Sequence, residues 1–504
     1  MAKAIMVVGT SSGVGKSLMA TALCRIFSEA GLRVAPFKSQ NMSLNAAVTP
    51  DGLEMGRAQV VQAHAAGIDP SPLFNPVLLK PTGNHHSQVV LNGVAIGNME
   101  AKKYYLNRKQ ALWQAITSSY EQLAADYELI IIEGAGSPVE MNLKANDLAN
   151  MRVAEMANAD VILVSDIDRG GVFASVVGTL QLFDTSERER VKGILINRFR
   201  GDPQLFEEGK KWLEEYTGVP VLGVIPYLPD LAIAEEDSLA DSYFEKQGVQ
   251  SVQNQRLRIG ILRWPHLANF SDFDPLVHYP DIDVVWVTKA EEMHRVDAMI
   301  LPGSKSTLAD REWMMEREMD RELHALLKNG GFVLGICGGF QMMGDALEDR
   351  DQVESTVVQI DGLGLFPMTT SITGKKATRW VSANLGDPFQ KQIITGYEMH
   401  MGVTNWREEK GRPFALINET GQADGAMGHD GRLIGTYLHH LFHNDHFRLG
   451  WLNLIRSAKG WNELEATLSY EEMEEASIER LAETVLTHVD RKRLFELAGA
   501  DMSV

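Results

Sequence analysis

At 504 residues the chain is too long for a single hydrophobic core and reads as roughly two to four domains. Its 67 acidic residues outnumber the 48 basic ones, for a net charge of -19, which argues against a nucleic-acid footprint and against docking on anionic membranes. A hydrophobic share of 44% excludes a disordered chain, and two cysteines, Cys24 and Cys337, exclude a disulfide scaffold and point to the reducing cytoplasm. No window reaches the ~18 consecutive apolar residues of a membrane span, and the N-terminus lacks the pattern of a signal peptide.

In chain order, residues 1–235 alternate short β-branched runs with amphipathic segments. Strands are expected at 5–9, 33–37, 129–133, 161–165, 193–197 and 219–225. Continuous apolar runs of this length suit parallel strands covered on both faces by helices. A polar stretch at 236–256 reads as a linker. Residues 257–456 repeat the alternation, with strands expected at 257–262, 283–287, 298–301, 331–336 and 433–438. Residues 457–504 are helical: Ser469 and Glu472 make a capping-box signature, and Ile478, Leu481, Ala482, Val485 and Val489 share one helical face. The fold class is α/β, with two open, mostly parallel sheets and a helical C-terminal tail.

Gly9-Thr-Ser-Ser-Gly-Val-Gly-Lys-Ser17 follows the first strand and opens a helix. Gly13 and Gly15 let backbone N–H groups turn toward a phosphate, the helix N-terminus adds positive dipole, Lys16 supplies charge, and the Ser17 hydroxyl suits Mg²⁺. The loop is one residue longer than the usual phosphate loop, with Thr10 where glycine is expected. This longer loop resembles that of the dethiobiotin-synthetase-like ATPases. Two features fit that likeness: Lys38 ends the second strand, and Glu133 ends the buried run 129–132, where a carboxylate suits a metal contact. Asn197, after 193–196, either reads an adenine edge or closes a turn, and the sequence leaves both open. Asp147 likewise reads as a substrate contact or a helix N-cap.

Gly335-Ile-Cys337-Gly-Gly339 lies between a strand and a helix. This is a nucleophile elbow with cysteine for serine. The helix N-terminus favours the thiolate, and the Gly338 N–H suits an oxyanion hole. A second donor is expected from the turn Pro302-Gly-Ser-Lys305, at Gly303. His439, in Gly435-Thr-Tyr-Leu-His439, ends a later strand and is the candidate base. Cys24, between apolar neighbours in the first helix, reads as a structural thiol. His440, His443 and His446 follow His439 closely, but with no cysteine nearby they read as surface histidines on a helix start rather than a metal site.

Together these segments resemble the class I glutamine amidotransferases in the form fused behind a dethiobiotin-synthetase-like ATPase. Two families share that form. Phe37-Lys-Ser-Gln-Asn-Met-Ser-Leu-Asn45, Glu54-Met-Gly-Arg-Ala-Gln59, Lys80-Pro-Thr-Gly83, Glu133-Gly-Ala-Gly-Ser-Pro138, Asp166-Ile-Asp-Arg-Gly-Gly171, Asn197-Arg-Phe-Arg-Gly201 and Gly396-Tyr-Glu-Met-His400 look like the cobyric acid synthase family. The sibling family, which amidates cobyrinic acid itself, fits less well because of Gln40-Asn41-Met42-Ser43. A partitioning-type ATPase switch would need no glutaminase half and carries a lysine near Ser11. Ordinary class I enzymes place a glutamate two residues after the histidine. Here Leu441 stands there, which implies a Cys–His dyad whose orienting group the sequence does not identify, and His440 stands where glycine is expected.

The resemblance implies amidation of carboxylates b, d, e and g of adenosylcobyrinic acid a,c-diamide, driven by ATP with Mg²⁺ and fed with ammonia from glutamine. The partners are then glutamine, ATP and a corrinoid polycarboxylate. Cys337 and His439 would be catalytic, Ser17 and Glu133 would meet the metal, and Lys38, Gln40 and Asn41 would face the carboxylate or phosphate.

Overall fold

Strand Lys3–Gly9 shows why the first apolar runs are unbroken. Ala4, Met6 and Val8 join the core on one side of the sheet, while Ile5 and Val7 join the core on the other, so both faces exclude water. The computed structural model describes residues 2–81, 86–100, 109–233, 256–279, 282–389, 392–407, 412–465 and 469–501. The sheet runs in the order Val221–Pro226, Val191–Phe199, Asp160–Asp166, Lys3–Gly9, Leu129–Glu133, Val34–Phe37, and every pairing is parallel. Lys3–Gly9 is central, with later strands on both sides, so its C-terminal end is a switch point where open α/β sheets bind ligands. The phosphate loop starts there.

The second sheet runs Ile282–Val287, Leu257–Leu262, Ala298–Leu301, Phe332–Ile336, Leu433–Thr436, Ala426–Gly428, parallel except for the last strand. Both parallel sheets match the expected fold class, and all eleven expected strands are present to within a few residues, although the last, expected to run to 438, ends at Thr436. Leu438–His439 belongs instead to an antiparallel sheet built on the long hairpin Met368–Leu385 and Ile393–Trp406. A smaller sheet of Gln40–Met42, Val77–Pro81, His86–Leu91 and Val94–Glu100 flanks the first domain.

The linker expected at 236–256 falls, apart from Arg256, outside the described residues. The C-terminal helix Tyr470–His488 is capped by Ser469, whose hydroxyl accepts the Glu472 N–H at 3.0 Å. Its apolar face, Ile478, Leu481, Ala482 and Val485, packs into the same core as Leu23 and Phe27 of helix Lys16–Glu29. Phe495 meets Phe27 edge to face at 5.4 Å. The chain thus returns from the second sheet to close over the first. No described helix is long and apolar enough to cross a membrane.

Candidate active sites

At the first site, Gly13 (φ 71°) and Gly15 (φ 100°) take left-handed conformations that a side chain would oppose, curling the loop over the start of helix Lys16–Glu29. Lys16 Nζ donates to the carbonyls of Ser11 and Gly136, both at 3.1 Å. Asn197 donates from Nδ2 to the Val14 carbonyl at 2.8 Å, so its amide braces the loop from the neighbouring strand.

Glu133 is fully buried beside this loop. Its carboxylate accepts from Ser17 Oγ (2.8 Å), Lys38 Nζ (2.9 Å), Gln62 Nε2 (2.5 Å) and Gln59 Nε2 (3.3 Å). Burial alone would raise its pKa. The Lys38 ammonium and the Gln62 and Ser17 hydrogen bonds outweigh burial and hold it below the usual carboxylate range. Ser17 and Glu133 are hard oxygen donors in contact. No cluster of three or more His, Cys, Asp or Glu able to hold a metal occurs among the described residues. A cation here would complete its shell from phosphate and water, which suits Mg²⁺.

Asn41 Nδ2 donates to Gln59 Oε1 at 3.0 Å, which ties Asn41 into the network around Glu133. Gln40 opens the strand beside it and is partly exposed. The Asp147 carboxylate accepts the backbone N–H groups of Ala149, Asn150 and Arg152 at 2.9–3.2 Å, which orders the turn leading into helix Met151–Met156, whose N-cap residue is Asn150. Two motifs that are separate in sequence meet at this end of the sheet, where Asp166 pairs with Arg198 at 3.1 Å and Asp168 with Arg200 at 2.7 Å. Thr82 and Gly83 of the Lys80 motif lie outside the described residues.

At the second site, Cys337 sits at φ 50°, ψ -109° between strand Phe332–Ile336 and the short helix Gly338–Met342. Such backbone geometry costs about 1–3 kcal/mol and marks a nucleophile elbow. A Cβ on Gly338 would lie 2.8 Å from the Ser304 nitrogen, so glycine is what lets the elbow approach the Gly303–Lys305 turn. The same turn reaches His439: a Cβ on Gly303 would lie 3.2 Å from its Cε1.

His439 is 1% exposed, and its Nδ1 lies 2.6 Å from Oδ2 of Asp272. Asp272 is therefore the third member of a Cys–His–Asp constellation that the sequence reading missed. Its other oxygen accepts the His440 N–H at 3.0 Å. Burial disfavours the charged imidazole, but the Asp272 carboxylate and the hydrogen bond to Cys337 outweigh it and raise the His439 pKa to about 10. The Tyr397 ring stacks on His439, with centroids 5.2 Å apart.

The histidine cluster is not a surface feature. His440 and His443 stack at 3.9 Å and are partly buried against Trp380, Tyr397 and Tyr470; only His446 is exposed. Burial, with Arg57 and His64 nearby, pushes the His440 pKa down to about 3. His440 takes φ 68°, the left-handed conformation that glycine would adopt most easily, which is why a glycine is expected after the histidine.

Two family models match. Residues 5–240 match a CobQ/CobB/MinD/ParA nucleotide binding domain, and residues 258–447 match a CobB/CobQ-like glutamine amidotransferase domain. The chain is similar to a cobyric acid synthase of Caldanaerobacter subterraneus subsp. tengcongensis, at 44% identity over 99% of both chains. It is also similar to that of Geobacillus thermodenitrificans, at 45% over 98% of this chain and 97% of the other, and that of a Synechocystis species, at 46% over 98% of both. With both domain types in order and identity at this level over the full length, the chain belongs to the cobyric acid synthase family of glutamine-dependent amidating ligases.

Proposed function

We propose that the chain converts carboxylates b, d, e and g of adenosylcobyrinic acid a,c-diamide to amides, giving adenosylcobyric acid in cytoplasmic cobalamin biosynthesis. Residues 1–235 form the ATP-dependent half and residues 257–456 the glutaminase half. The observation that carries the reading is Asp272–His439 beside Cys337, a constellation suited to releasing ammonia from an amide.

Cys337 Sγ attacks the side-chain amide carbon of glutamine. The N–H groups of Gly338 and Gly303 receive the developing oxyanion. His439 protonates the departing ammonia, leaving a glutamyl thioester, and then takes a proton from the water that cleaves it. Asp272 keeps Nδ1 protonated, so the other ring nitrogen faces the thiol.

In the ATP-dependent half, the substrate carboxylate attacks the γ-phosphorus of ATP, and ADP leaves. Ammonia then displaces phosphate from the acyl phosphate. Lys16 and Lys38 balance charge on the transferring group, and Gln40 and Asn41 border the acceptor carboxylate. Ser17 and Glu133 would hold Mg²⁺, which when bound neutralises phosphate charge. Asn197 keeps the loop in shape from below. Asp147 fixes the segment after Leu148, whose carbonyl accepts the Ser39 hydroxyl at 2.6 Å.

The test is incubation of adenosylcobyrinic acid a,c-diamide with ATP and either glutamine or an ammonium salt, read by mass spectrometry. The unaltered chain should replace a carboxylic hydroxyl by an amino group stepwise, once per free side chain. Cys337→Ala should lose this with glutamine and keep it with ammonium. No amidation from either nitrogen source would overturn the reading.

A further inference from the structure

The pocket that holds Cys337 and His439 carries charge that the triad chemistry does not use. Three lysines line it: Lys80, Lys305 and Lys376. Two of them share the buried carboxylate of Glu54, with Lys376 Nζ 2.5 Å from Oε2 and Lys80 on Oε1. The third, Lys305, is 8% exposed, and its ammonium has no hydrogen-bond or ion-pair partner among the described residues. Its backbone is fixed: the Lys305 N–H bonds the His266 carbonyl at 2.9 Å, and the adjacent Ser304 hydroxyl donates to buried Asp310 at 2.5 Å. A rigidly mounted, enclosed and unpaired ammonium beside a nucleophile calls for an anion from outside the protein.

The opposite charge stands on the same wall. Glu354 lines the pocket, and its Oε2 accepts the Thr307 N–H at 3.2 Å. Its loop is held by Asp349, fully buried, whose carboxylate accepts the N–H groups of Val353, Glu354 and Ser355 at 2.7–2.9 Å. Burial raises the pKa of Glu354, and Lys305 is the leading group that lowers it. One buried cation and one half-buried carboxylate, both mounted on fixed loops, match the two charges at the α-carbon of an amino acid.

We propose that Lys305 and Glu354 form the α-amino-acid subsite of the Cys337 pocket, with Lys305 taking the α-carboxylate of glutamine and Glu354 its α-ammonium. The subsite rests on the reading that Cys337 hydrolyses glutamine. Such a subsite would favour free glutamine over amides within peptides, whose α-groups carry no charge.

The experiment uses the full chain with ATP and corrinoid substrate. It compares ammonia release from L-glutamine with release from glutamine α-amide, which lacks the carboxylate. The unaltered chain should prefer L-glutamine by about 10- to 100-fold in kcat/KM, the range for a hydrogen bond to a charged group. Lys305→Met should lose most of that preference through a higher KM for L-glutamine, with little change toward the α-amide. Lys305→Arg should keep it. The subsite is overturned if the unaltered chain cleaves both compounds equally well, a comparison that needs no variant. It is also overturned if Lys305→Met loses both equally, as a lysine that only activates the thiol or holds the fold would. Failure of the unaltered chain to release ammonia from L-glutamine would overturn the glutaminase reading itself, and the subsite with it.

Discussion

Asp272 and His439 are 167 positions apart in sequence and 2.6 Å apart in the fold. In ordinary class I amidotransferases the orienting carboxylate follows the histidine by two residues. Here Leu441 fills that place, 1% exposed, and the carboxylate arrives from the turn after the first strand of the second sheet. Asp272→Asn should present the wrong hydrogen-bond partner to Nδ1 and lower glutamine-driven kcat by about 10³–10⁴-fold. Steady-state glutaminase kinetics check this, with ammonium-driven amidation as the control for folding.

The same pair sets a pH dependence. His439 has an ordinary pKa of 6.5 and is raised to about 10 in the fold. Its contribution to stability is therefore complete below pH 6.5, shrinks as pH rises, and is gone by about pH 10. The gap in Tm between the unaltered chain and His439→Gln should narrow from pH 7 to pH 10. In Asp272→Asn the alkaline limb of glutamine hydrolysis should move to lower pH, because the imidazolium loses its partner.

Glu133 and Lys38 form a buried ion pair at 2.9 Å, 0% and 3% exposed at their side chains. Breaking a buried pair of this kind by removing one member costs about 3–5 kcal/mol. Glu133→Ala and Lys38→Met should each destabilise the chain by about that much. The double variant should cost clearly less than the sum of the singles in urea denaturation. Glu133→Ala should also abolish amidation from either nitrogen source.

His440 occupies a left-handed position with its ring stacked on His443. Glycine relieves the backbone and loses the stack, so His440→Gly should stay within about 1 kcal/mol of the unaltered chain. His440→Val, β-branched at positive φ, should cost about 2 kcal/mol or more. Chemical denaturation separates the two.

The phosphate loop, Cys337 and His439 are readable in the sequence because each is a local pattern: glycines and a lysine after an apolar run, small residues around a thiol, a histidine closing a strand. Asp272 is not, since Asn269-Phe-Ser-Asp272 has no periodicity and its partner is in another element. The hairpin of Met368–Leu385 and Ile393–Trp406 escaped for a different reason. Continuous apolar runs identify strands buried on both faces, whereas these alternate buried and accessible residues. The amphipathic face of Tyr470–His488 was legible, but the helix it covers, hundreds of residues earlier, was not. Tyr470, at the start of the same helix, also packs edge-on against His443, which local sequence presents as a surface residue.

The short segment carrying Asp272 rests on the nucleotide-binding half. The Asn269 N–H bonds the Leu44 carbonyl at 3.1 Å, and the Ser271 hydroxyl bonds Asn45 Oδ1 at 2.7 Å. Beyond Ala46–Val48 and its partner strand Glu54–Gly56, the chain enters helix Arg57–Ala65, whose Gln59 and Gln62 hold Glu133. One half of the enzyme is thus part of the foundation of the other half's triad. Such a protein is hard to divide between two genes: a separated glutaminase would lack the ledge that seats its own carboxylate, so loss or gain of the two activities should follow a single evolutionary fate.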